Sequence, residues 1–93
     1  ALTSEELKLR KTPEVWYVRA RALALVDRWP QAREAIREAL RIGAKEAEHF
    51  WLAGVVERKV GNRHRAAFYF DQATRLDSRY VPPREFERAG DLG

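Results

Sequence analysis

Displaced by 34 residues, the chain aligns on itself. Trp16 falls on Phe50, Ala20 on Gly54, Ala32 on Ala66, Ile36 on Phe70, Ala39 on Ala73 and Ile42 on Leu76. Large residues meet large ones and small residues meet small ones. A period of that length, with small residues at fixed places, marks a helix-turn-helix unit used twice. Such units bury their apolar stripes against each other and present extended surfaces, so the pattern points to binding rather than catalysis.

Glycine and proline divide the chain at matching places. Thr3-Ser4-Glu5-Glu6 reads as an N-cap with a capping-box glutamate, opening a short helix from about Ser4 to Arg10. Thr12-Pro13-Glu14 opens the next, with a threonine cap, proline at the first helical position and an acid at the positive end of the dipole. That helix is expected to run to about Val26. A turn at Asp27-Arg28-Trp29-Pro30 leads into a third helix, whose apolar stripe is Ala32, Ala35, Ile36, Ala39 and Leu40. Its surface ion pair is expected between Glu34 and Arg37. Gly43 ends it as a C′ glycine. A fourth helix covers residues 47–60 and stops at Gly61-Asn62. A fifth covers residues 63–76. Val81-Pro82-Pro83 breaks the chain, and a last short helix is expected over about residues 83–88. No stretch alternates long enough to be a strand. The fold expected is all-α.

The residues that carry the 34-residue period resemble the tetratricopeptide repeat. Residues 47–80 supply Phe50, Gly54, Gly61, Ala66, Phe70 and Ala73, with Ser78 where the family usually has proline. Residues 13–46 supply Trp16, Ala20, Leu23, Asp27, Trp29, Ala32, Ile36 and Ala39. Arg19 and Glu57 depart from the family's usual leucine and tyrosine. The resemblance implies a short right-handed solenoid: a capping helix at 1–12, repeats at 13–46 and 47–80, and a capping segment at 81–93. It also implies a concave groove lined by the first helix of each repeat. That groove would hold Glu14, Tyr17, Arg21 and Ala24 from one hairpin, and Glu48, Trp51, Val55 and Arg58 from the other. Tyr17, Arg21, Trp51, Val55 and Arg58 are the implied partner-binding set, suited to a peptide with a hydrophobic anchor and an acidic neighbour. The lysine and asparagine with which some members grip a terminal carboxylate are missing here.

On the second hairpin, Phe68 and Tyr69 are two adjacent aromatics beyond what the repeat core requires. The tail, through Tyr80, Val81 or Phe86, is expected to cover them. The alternative is a second interface, including one with another copy of the chain.

Composition narrows the rest. The chain has no cysteine, which removes disulfides, thiolate catalysis and cysteine metal sites. His49 and His64 lie on different helices without metal-ligand spacing, and His49 is expected at the surface. No phosphate loop or nucleophile elbow is present. The chain therefore reads as an adaptor and not an enzyme, with no cofactor and no metal. No apolar run of about 18 residues exists to insert in a membrane. Basic residues outnumber acidic ones 18 to 14, and most are arginine, as in GC-rich or thermophilic bacteria. A bacterial, cytoplasmic protein is the expectation. Arg58, Lys59, Arg63, Arg65, Arg75 and Arg79 cluster in the second hairpin with aromatics between them. Nucleic acid is accordingly the rival partner, the weaker one because Glu57, Asp71 and Asp77 dilute the patch.

Overall fold

The structure, a computed structural model, describes residues 12–84. Four helices follow in order: α1 (Pro13–Leu25), α2 (Trp29–Arg41), α3 (Ala47–Lys59) and α4 (Arg63–Leu76). No strand occurs among the described residues. The all-helical expectation holds there, and the four helix boundaries fall within about a residue of those read from the sequence. The short helix expected before Thr12 lies outside the described residues, and of the one expected over about residues 83–88 only Pro83 and Arg84 are described.

Each helix starts and stops for a local reason. Proline opens α1 and stands in the first turn of α2, where a missing N–H costs nothing. Thr12 holds the N-cap position of α1, but its side chain makes no capping hydrogen bond. Asn62 does cap α4: its Oδ1 accepts from the Arg65 amide at 3.4 Å. Gly43 and Gly61 follow α2 and α3 with φ of 119° and 92°, a left-handed turn that glycine adopts without strain. The ion pair on α2 joins Arg41 to Glu38 rather than Glu34 to Arg37.

α1 packs on α2 and α3 on α4, giving two hairpins. The hairpins join mainly through α2 and α3, with a lesser contact from α1 to α3. Small residues set the distances. Ala20, Ala32 and Ala39 are wholly buried in the first hairpin. In the second, the Phe70 ring lies against Gly54, where an added Cβ would come within 2.8 Å of it. α3 runs through the centre, and every residue from Trp51 to Glu57 is buried. The largest fully buried side chains are Ile36, Leu52, His49, Glu57, Val55 and Val56. Two of those six are ionisable, and both sit on α3.

Candidate functional site

Three of the five expected groove residues form core rather than surface. Tyr17, Trp51 and Val55 are all buried. The Tyr17 ring stands edge-on to His49 of α3, with centroids 4.8 Å apart. One repeat later, Trp51 meets Tyr80 of the following segment at 6.2 Å. Tyr17 and Trp51 are mates under the 34-residue shift, and each packs on a residue that follows its own hairpin in the chain. Tyr80 in turn feels the charges of Tyr17, Glu48 and Arg21, so Tyr17, Arg21 and Trp51 gather around it. Arg21 and Arg58 are half-buried. Arg58 lies apart from the others, its guanidinium 5.9 Å from the Phe70 ring centre.

Among the described residues, the tail does not cover the aromatic pair. Tyr80 goes to Trp51, and Val81 is exposed; Phe86 lies outside the described residues. Tyr69 is half-buried against Phe50, with rings 6.2 Å apart. Phe68 leans on Tyr69 and stays 57% exposed.

His49 is 1% exposed, contrary to the surface position expected of it. Its Nδ1 accepts from the Glu46 amide at 3.1 Å, closing the first turn of α3. Its Nε2 lies 3.3 Å from Glu14 Oε1 and 4.0 Å from Glu48 Oε1, without a satisfied hydrogen bond. The three side chains bring ligand-type atoms within 4.8 Å of one another. Metal ligation does not fit the ring's tautomer. With Nδ1 accepting, the neutral imidazole carries its proton on Nε2, the atom a metal would need bare. The arrangement instead leaves Nε2 beside two carboxylates, without a hydrogen bond, where α1 meets α3.

Glu57 is the second buried ionisable group, at 1% exposure. Arg33 of α2 donates from Nε to its Oε1 at 2.7 Å. The basic cluster of the second hairpin is partly engaged. Arg75 pairs with Asp71 at 2.8 Å, and the Lys59 ammonium lies 5.4 Å from the Trp29 ring. Arg63, His64 and Arg65 are exposed on the first turn of α4.

A further apolar surface lies on the outer side of α1. Val15 is 39% exposed, Val18 60%, Leu25 44% and Val26 63%, and Ala22 is exposed with them. The opposite side of α1 carries the buried Ala20 and Ala24. α1 is thus apolar nearly all round, a composition that suits a helix enclosed on both sides. Comparison with family models, curated proteins and solved structures returned no match. No helix among the described residues is long and apolar enough to cross a membrane.

The shift register relates the α1 surface to a surface of α3. Val15, Val18, Arg19, Ala22 and Val26 stand 34 residues before His49, Leu52, Ala53, Val56 and Val60. On α3 those mates face away from Gly54, the point of contact with α4, and therefore toward the first hairpin. His49, Leu52, Ala53 and Val56 are buried there. On α1 the corresponding stripe is left exposed by the described residues. The sequence carried a signal for this surface: apolar residues at 15, 18, 22 and 25 repeat at three-four-three spacing, the seam pattern of paired helices.

Proposed function

We propose that this chain is a non-enzymatic protein–protein interaction module. In this reading its two tetratricopeptide-like hairpins form a short right-handed solenoid that acts as an adaptor. The observation that carries the reading is the exposed apolar stripe of α1, the same stripe that α3 buries by helix packing. Exposed apolar surface gathered on one face is a mark of docking. The groove implied by the family resemblance supports the reading less well. Tyr17, Trp51 and Val55 are enclosed by the chain itself, which leaves Arg21 and Arg58 at its edges.

Paired affinity captures from extracts of the source organism test the reading, one with the wild-type chain as bait and one with Val18→Glu. Val18 is exposed, so the change leaves the core intact and places a charge at the centre of the stripe. Proteins recovered by the wild type and lost with Val18→Glu are the expected result. Identical sets from both baits would remove α1 from the binding surface.

A further inference from the structure

We infer that the partner on the α1 face is a second copy of this chain, with the two α1 helices side by side and parallel across a two-fold axis. This rests on the proposed interaction module and names its partner. Val15 and Ala22 take the first apolar position of successive heptads, and Val18 and Leu25 take the second. All four stand on the exposed side. Val15 at the first position and Leu25 at the second match the preference of two-stranded pairs, Val18 departs from it, and Ala22 keeps the seam narrow.

The flanking charges choose the orientation. Glu14 stands beside Val15 on one flank of the seam and Arg19 beside Val18 on the other. In a parallel pair the residue before the first position reaches the residue five places on in the other helix. Glu14, which within its own chain lies 3.3 Å from His49 Nε2, therefore comes within reach of Arg19 of the other copy, whose guanidinium lies 5.3 Å from its own Trp16 ring, and the two-fold axis makes the contact twice. The Glu14 side chain is 64% exposed, and Arg19 is exposed as well. An antiparallel pair that sets Val15 against Leu25 brings the two Arg19 side chains together, like charge on like. A two-fold arrangement also closes on itself, with the same patch on both subunits. The seam is short, little more than three turns. It should accordingly form a reversible dimer, below the size of a permanent interface.

The chain's lack of cysteine makes the geometry directly readable, because one introduced thiol is the only thiol. Ala22→Cys places the two sulfurs opposite each other at the seam in the parallel pair, and mild oxidation should convert most of the protein to a disulfide dimer. Phe68→Cys, on the other exposed aromatic site, should stay monomeric under the same oxidation. In light scattering across a concentration series, the wild type should move from monomer mass to twice that mass. Val18→Glu should weaken the association by at least about tenfold, since a charge would be buried in an apolar seam. Glu14→Arg should weaken it, and Glu14→Arg with Arg19→Glu should restore it. A wild type that keeps monomer mass at every concentration overturns the proposal, while the affinity-capture comparison still judges the interaction module on its own. Cross-linking at position 68 instead of 22, or a dimer indifferent to Val18→Glu, assigns association to another face and overturns it equally.

Discussion

Arg33 reaches from α2 to α3 and places its Nε 2.7 Å from Oε1 of Glu57. The carboxylate is buried, while the arginine side chain keeps 33% of its surface in solvent. This pair joins the two hairpins. A buried pair adds little over well-packed apolar residues, but breaking it strands a charge. Arg33→Ala should therefore lower unfolding free energy by about 3 kcal/mol, the low end for a stranded buried charge. Arg33→Leu with Glu57→Leu should return stability to within about 1 kcal/mol of the wild type or raise it. Urea titrations of the single and double variants check this. A single variant as stable as the wild type would show that Glu57 finds water.

Gly54 and Phe70 set the spacing of the second hairpin, since the ring occupies the place of a Cβ. Gly54→Leu should destabilise by about 1–3 kcal/mol or more, because the ring must leave a close-packed site. Shrinking the obstacle should help: Gly54→Ala with Phe70→Leu is expected to be more stable than Gly54→Ala alone. Thermal melts of these variants decide it. A melting temperature unmoved in Gly54→Leu would mean that α3 and α4 do not meet at this point.

His49 supplies an acceptor to the Glu46 amide and fills space under Tyr17. His49→Ala should cost about 2–4 kcal/mol through the cavity and the lost hydrogen bond together. The proton on Nε2 leads to a second expectation. Added zinc should leave the melting temperature of the wild type unchanged, whereas a ligated ion would raise it. A zinc-dependent rise that Glu14→Gln abolishes would show that the ring exchanges its tautomer to take a metal.

The repeat was legible because alanine and glycine spacing depends only on neighbouring turns. Ala20, Gly54, Ala32, Ala66, Ala39 and Ala73 all lie where the shift put them, at the helix contacts. Leu76 is the exception: its mate Ile42 is half-buried, while Leu76 is 53% exposed. The buried His49 and Glu57 were not legible. Residue type alone argues for the surface, and only a cross-helix partner such as Arg33 makes burial affordable. The enclosed state of Trp51 was hidden for a related reason. Its cover, Tyr80, arrives from a segment after the last repeat, so no periodic signal announces it. The α1 stripe was written in the sequence at three-four-three spacing, but apolar residues on both sides of a helix do not say which side finds a partner within the chain.

Tyr80 makes the closure over Trp51 testable by pH. Burial raises its phenol pKa, the charges of Tyr17 and Glu48 add to the rise and Arg21 opposes it, bringing the value to about 12. In the unfolded chain a tyrosine titrates near 10. A raised folded value means that the folded state holds the proton longer. The contribution to stability is complete below about pH 10 and disappears as pH rises from there to about 12. Tyr80→Phe has no proton to lose and should lack that part of the decline. The melting temperature of the wild type should accordingly fall more steeply over this window than that of Tyr80→Phe. Circular dichroism melts at closely spaced alkaline pH values measure the difference. Parallel curves would mean that the Tyr80 hydroxyl stays in water and that Trp51 is covered by something else.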